Sequence, residues 1–306
     1  MKRCFLNERL KNIFLKNRDM RFIKMTGGLG NQMFIYAFYM RMKKHYSNTR
    51  IDLSDMVHYK AHNGYEMHRV FNLPPIEFRI NQPLKKVIEF LFFKKIYERK
   101  QVPSSLVPYD KKYFWPLLYF KGFYQSERFF ADMADDIRKA FTFNPHLSNK
   151  KTKEMSEQID HDENAVSIHV RRGDYLEPKY WKTTGCVCQL PYYLNAIAEM
   201  NKRISQPSYY VFSDDIAWVK ENLPLPKAFF IDWNKGTESW QDMMLMSRCR
   251  HHIICNSTFS WWGAWLNPRE NKTVIMPERW FRHCETPDIC PDKWIKVPIN
   301  QPDSIQ

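Results

Sequence analysis

The sequence predicts an α/β protein built as two domains around a shared cleft, each domain on a parallel sheet. Three observations carry that expectation. From residue 165 onward short apolar runs alternate with amphipathic stretches, the spacing of strands joined by right-handed helical crossovers. Near the start, residues 21–25 lead through Thr26-Gly27-Gly28-Leu29-Gly30 into an apolar segment, the strand, glycine turn and helix that open an α/β unit. At 306 residues, with 44% apolar and 16% aromatic content, the chain can bury two cores of ordinary domain size.

Residues 21–25 form the expected first strand, and a helix follows over about 33–44. Between 48 and 120, prolines at 74, 75, 83, 103, 108 and 116 divide the chain into short pieces, which predicts loops and small helices. Residues 117–125 return a strand to the first sheet, and 126–140 read as a helix with Ser126 at its N-cap. Lys, Asp, Glu and Asn dominate 148–164, which reads as a polar linker and divides the chain into an N-terminal domain, 1–155, and a C-terminal domain, 156–306. In the second domain strands are expected at 165–170, 208–212, 228–232, 251–254 and 273–276, with helices at about 191–203, 215–222, 237–248 and 260–266.

A formal net charge of +14 and a pI near 9.4 leave three classes of partner: nucleic acid, an anionic membrane surface or a phosphorylated small substrate. The seven cysteines are scattered and odd in number, which argues for a reducing compartment and against a disulfide framework. Cys186 and Cys188 are too close for the usual zinc spacing, and Cys284 and Cys290 lack a second pair, so no metal is expected. No apolar run approaches the ~20 residues of a membrane span, and no signal-peptide core is present, so the expected location is cytoplasmic. Residues 83–100 interleave Val87, Ile88, Phe90, Leu91, Phe92 and Phe93 with lysines, and residues 1–20 are a weaker copy. Such basic amphipathic segments either pack on a core with a solvated basic face or dock peripherally on an anionic membrane.

The densest chemical signal is Ser167-Ile168-His169-Val170-Arg171-Arg172-Gly173-Asp174-Tyr175. Two adjacent guanidiniums at a strand end match phosphate oxygens in pairs and suit a pyrophosphate, although the same arginines would also serve strand-end salt bridges. Ser213-Asp214-Asp215, Asn256-Ser257-Thr258-Phe259-Ser260 and Pro277-Glu278-Arg279 end other strands, so their polar groups converge on one crevice. Ser257 and Thr258 stand where a strand hands over to a helix, where hydroxyls and first-turn amides hold a phosphate or simply cap the helix. The turn carrying Gly28 and Gly30 lacks the third glycine of a dinucleotide fingerprint and the lysine of a P-loop. Its Asn31 and Gln32 offer amide donors to sugar hydroxyls, or cap the helix. Trp261, Trp262 and Trp265 fall near one helical face and read as core.

Four ordered motifs, Gly27-Gly28-Leu29-Gly30-Asn31-Gln32-Met33-Phe34, His169-Val170-Arg171-Arg172-Gly173-Asp174-Tyr175, Phe212-Ser213-Asp214-Asp215 and Asn256-Ser257-Thr258-Phe259-Ser260-Trp261-Trp262-Gly263-Ala264-Trp265-Leu266, together resemble the bacterial-type α-1,2-fucosyltransferases over about residues 21–280. The resemblance implies a GT-B fold of two Rossmann-like domains facing a cleft. It also implies metal-independent transfer of L-fucose, with inversion, from GDP-fucose to the 2-hydroxyl of a galactose residue in a glycan acceptor. GDP-fucose is then a substrate, and no cofactor is implied. On matching positions Arg172 is the main pyrophosphate ligand, with Arg171, His169 and Asp214 in the same pocket and Ser257, Thr258 and Phe259 on the other wall. Asp242, sixteen residues before Thr258, is implied as the carboxylate that reads guanine. Gly28, Gly30, Asn31 and Gln32 line the acceptor side.

Asp174 is the first choice for the base that takes the acceptor proton and Glu177 the second, while Asp174 would equally serve to orient Arg172. Asp160 and Asp162 form the only literal Asp-x-Asp, in a polar setting that reads as solvated rather than metal-binding. Acceptor specificity is expected in residues 48–120 and 176–190. Two other functions compete: transfer from another GDP-linked sugar, and, in a different class, binding of nucleic acid through the basic charge. The four motifs favour the enzyme and argue against a nucleic-acid partner.

Overall fold

The structure, a computed structural model, describes residues 21–59, 62–74, 83, 86, 109 and 119–299. The N-terminal extension and, apart from two isolated positions, the basic segment 83–100 lie outside the described residues. Among the described residues no helix is long and apolar enough to cross a membrane.

Strand β1 (Arg21–Lys24) is the centre of a three-stranded parallel sheet, flanked by β2 (Thr49–Asp52) and β3 (Tyr119–Phe120). Helix α1 (Leu29–His45) follows the glycine turn and begins four residues earlier than the periodicity suggests. Gly30 and Asn31 therefore lie inside its first turn. Strand β2 falls in a region expected to hold only loops and small helices; it is four residues long, too short to show a period. Ser126 caps as expected, accepting from the Arg128 amide, but it opens two 3₁₀ turns rather than a long helix. The extended φ of −147° at Phe130 interrupts the run, and α-helix α2 occupies only Ala134–Ala140.

The expected polar linker is instead helix α3 (Lys150–Asp160), capped by the Asn149 carboxamide, which accepts from the Thr152 amide. Only Thr152, Ser156 and Ile159 of α3 are buried. These positions share one helical face, but Ile159 is the one apolar side chain among them, so the segment reads as polar. Strands β4 (Ala165–Val170), β5 (Ser208–Ser213), β6 (Ala228–Ile231), β7 (His251–Ile253), β8 (Val274–Pro277) and β9 (Ile295–Val297) make a second parallel sheet, in the order β6-β5-β4-β7-β8-β9. Helices α4 (Leu190–Arg203), α5 (Ile216–Asn222), α6 (Trp240–Arg248) and α7 (Thr258–Leu266) make the crossovers. Alternate residues of the central strands serve opposite faces: Tyr209 and Val211 join the core around Tyr192 and Tyr193, whereas Tyr210 and Phe212 join Ile159 and Leu245.

The two sheets share a core. Phe34 of α1 lies 4.5 Å from Trp261 and 4.8 Å from Trp262, and Phe130 stacks on Trp262 at 5.5 Å. The Trp262 indole donates to the Gly30 carbonyl at 2.9 Å. A β-carbon on Gly30 would stand 2.6 Å from the Thr258 backbone, so only glycine lets the starts of α1 and α7 abut.

Candidate active site

Between the C-terminal ends of the second sheet and the start of α1 lies a cleft of about 830 Å³. Its walls include Gly28, Gly30 and Asn31 from the first sheet's side, and His169, Arg171, Asp174, Asp214, Asp242, Ser257, Thr258 and Phe259 from the second. Eleven residues expected at the site from sequence are thus gathered at one place. Gln32, Arg172 and Glu177 are not among the residues lining it.

The two arginines divide. Arg171 faces the cleft, its Nε and Nη2 donating to the two Asp174 oxygens at 2.9 and 3.0 Å. Burial works against its charge, but the hydrogen bonds and charge of Asp174 outweigh this and push its pKa above the ordinary value. Arg172 turns away: its Nε donates to Asp215 at 3.1 Å and its guanidinium lies 4.1 Å from the Trp218 ring centre. Its backbone amide donates to Asp214 Oδ1 at 2.8 Å. Gly173 makes that approach possible, since a β-carbon there would meet Asp214 at 2.8 Å.

Burial alone would raise the Asp174 pKa, but the Arg171 hydrogen bonds and charge hold it below the usual carboxylate range. A carboxylate so engaged is a weak base and an effective brace for the guanidinium. His169 is buried, its Nδ1 3.2 Å from the Cys255 thiol. Burial, aided by Arg171, lowers its pKa to about 3, so it contributes a neutral ring. Asp242 shows the opposite effect: burial raises its pKa to about 7, offset in part by the Asn234 amide, which donates to it at 2.8 Å. Asn234 is held the right way round because its carbonyl accepts from Asn149 at 2.8 Å and from Thr152 at 3.0 Å.

The Ser257 hydroxyl accepts from the Phe259 amide at 3.3 Å, capping α7 at the cleft wall. Asn31 Oδ1 accepts from Gln125 at 2.7 Å. Gln32 is fully buried and clamps a loop: its amide donates to the Gly27 and Gly64 carbonyls at 2.8 and 2.7 Å, and its carbonyl accepts from the Glu66 amide at 3.0 Å. Glu177 is exposed, at the end of a 3₁₀ turn. Asp160 is partly exposed and paired with Arg248, and Asp162 accepts from the Tyr210 hydroxyl at 3.0 Å.

Sequence reasoning missed His62, Asn63, Glu66 and Asn234, all of which line the cleft. Asn234 lies just beyond strand β6, so the strand-end argument applied to the other strands also reaches it. The His62 loop lies within the 48–120 stretch expected to read the acceptor, but its left-handed turn carries no periodic pattern that singles out these residues.

The profile of glycosyl transferase family 11 matches residues 11–297. An α-1,2-colitosyltransferase of Escherichia coli is 32% identical over 292 residues, covering 90% of this chain and 97% of its own. The O-antigen biosynthesis glycosyltransferase WbnK, also of Escherichia coli, is 27% identical, covering 89% of this chain and 99% of its own. Galactoside α-(1,2)-fucosyltransferase 1 of Ateles belzebuth is 32% identical over 160 residues, 49% of this chain and 43% of its own. Among solved structures, the NodZ α-1,6-fucosyltransferase co-crystallised with GDP aligns over 85% of this chain and 95% of its own, with a TM-score of 0.50 and 13% identity. The fold is GT-B.

Proposed function

The chain belongs to glycosyl transferase family 11, and on that premise we propose that it transfers L-fucose from GDP-fucose to the 2-hydroxyl of a galactose residue, with inversion and without a metal. The observation that carries this reading is the placement of Arg171 and Asp242 on one cleft with the capped start of α7. Arg171, braced by Asp174, takes the pyrophosphate in the role the sequence suggested for Arg172. Charge grows on the bridging oxygen as the sugar departs, and a fixed guanidinium with first-turn amides stabilises it without reorganising. Asp242, ionised, accepts the ring N–H and exocyclic amine of guanine. A single displacement at the anomeric carbon inverts its configuration.

The whole-length similarity to the α-1,2-colitosyltransferase supports a second donor, a colitosyl nucleotide, in the same cleft. Incubation with each donor and a panel of β-galactosides, followed by linkage analysis of the product, tests both. An α-1,2-fucoside is the expected product; turnover confined to the colitosyl donor selects the second reading, and no turnover with either removes both.

A further inference from the structure

Single displacement requires a group that removes the acceptor proton. Asp174 has both oxygens on Arg171, and Glu177 does not line the cleft. Asp242 is committed to Asn234 and, in the reading above, to the purine. On the opposite wall, His62 stands over the glycine turn: a β-carbon at Gly28 would lie 3.1 Å from its ring. Neither ring nitrogen hydrogen-bonds to a described residue, although the ring borders the cleft.

The backbone around His62 is held at some cost. His62 and Asn63 have φ of 55° and 45°, in the left-handed region that side chains larger than glycine avoid, and Gly64 follows at 71°. Three contacts fix this turn. Gln32 holds the Gly64 carbonyl at 2.7 Å, Asn63 donates to Glu66 at 3.3 Å, and Asn63 also reaches across the cleft to the Gly236 carbonyl at 2.9 Å. The turn therefore presents an imidazole from the first sheet toward the arginine that binds the leaving group on the second. Charged groups facing it are Arg171 and Asp174 across the cleft, with Tyr59 on its own segment at 6.4 Å between ring centres.

We propose that His62 is the catalytic base, taking the proton of the acceptor hydroxyl as the glycosidic bond forms. The acceptor oxygen bonds to the donor's anomeric carbon, the bond from that carbon to the diphosphate oxygen breaks, and its electron pair leaves with GDP. The hydroxyl proton passes to a neutral imidazole nitrogen. Burial and then Arg171 lower the His62 pKa, with partial opposition from Asp174, so the ring is free to accept a proton at neutral pH.

This inference rests on the transfer reading, so the test uses whichever sugar nucleotide the wild type turns over. His62→Gln and His62→Ala are compared with wild type for kcat at saturating donor across pH 5–8, and for GDP affinity by calorimetry. Saturation removes the titration of Asp242, which acts on donor binding. The expected result is a fall in kcat of about 100-fold or more with the GDP dissociation constant within about twofold. In wild type kcat falls as pH drops through the His62 pKa, below 6.5; in His62→Gln that acid limb disappears. Wild-type turnover in His62→Gln, or retention of the same acid limb, overturns the proposal. Absence of wild-type turnover with every GDP-sugar overturns the transfer reading and this proposal with it.

Discussion

Replacing Asp242 with asparagine is expected to stabilise the unliganded protein above pH 7 and to cripple its GDP binding. The carboxyl is set into the cleft wall, where among the described residues its side-chain partner is the Asn234 amide at 2.8 Å, and burial moves its pKa from 3.8 to about 7. Three units at ~1.36 kcal/mol each give an upper bound of ~4 kcal/mol, or about 2 to 4 with screening by water in the open cleft. The sign follows from linkage. The unfolded chain releases this proton first, so the wild type loses stability as pH rises from about 4 to 7 and loses no more beyond. Asparagine has no proton to release, so the gap between the two proteins opens over that window. Urea unfolding without ligand at pH 5 and pH 8 measures it, and the variant's advantage should be larger at pH 8. GDP binding runs the other way. The wild-type carboxyl must ionise to accept two guanine N–H groups, so affinity should fall about tenfold per pH unit below 7, whereas the variant should bind at least ~10-fold more weakly at pH 8 with no such dependence. Equal destabilisation of the variant at both pH values would show that the carboxylate has a compensating partner. Unchanged, pH-independent GDP affinity would show that guanine is read elsewhere.

Arg171→Lys should lose at least ~10-fold in turnover, because a point charge cannot reproduce a two-toothed contact. Arg172→Lys should lose clearly less, since that guanidinium faces Asp215 and Trp218; equal losses in steady-state assays would mean that both arginines take the diphosphate. Gly30→Ala should destabilise by ~1–3 kcal/mol, because its methyl would enter the Thr258 backbone at 2.6 Å, and an unchanged melting temperature would refute the close approach of α1 and α7. Turnover should persist in EDTA, with Arg171 stabilising the leaving group; a loss reversed by magnesium or manganese would reassign that role.

The legible parts of the site were those fixed by local pattern. A buried run ending in arginines brings a guanidinium to the cleft, and polar residues after parallel strands converge on it without any further information. Which arginine faces the cleft was also legible, though by parity rather than by motif. His169 and Arg171 are two residues apart on an extended segment and share a face, whereas Arg172 takes the parity of Val170, which enters the core. Gln32 was placed at the cleft because a polar residue at a helix start suggests ligand contact. Its partners, Gly64 and Glu66, lie more than 30 residues away on a loop without apolar periodicity. Long-range polar contacts of this kind leave no periodic trace. Strand β2 and helix α3 escaped for a different reason: β2 is four residues long, and the buried face of α3, Thr152, Ser156 and Ile159, has helical spacing but is mostly polar, so a search for apolar periodicity passes over it.

The same distinction separates the two walls of the cleft. The wall on the second sheet is made by strand ends and the start of α7, elements whose positions follow from a regular sheet, so its chemistry appears as motifs. The opposing wall is a left-handed turn, and its hold on the site comes from Gln32 beneath and Gly236 opposite. Such a turn can approach the second sheet's wall only if the sheets keep a fixed spacing. That spacing is set where Phe34 and Phe130 pack on Trp261 and Trp262, and where the indole of Trp262 bonds to Gly30. A continuous aromatic core resists the hinge motion expected of loosely joined domains. The tryptophans that sequence reading assigned to the core therefore have a functional consequence: they hold His62 facing Arg171 before either substrate arrives.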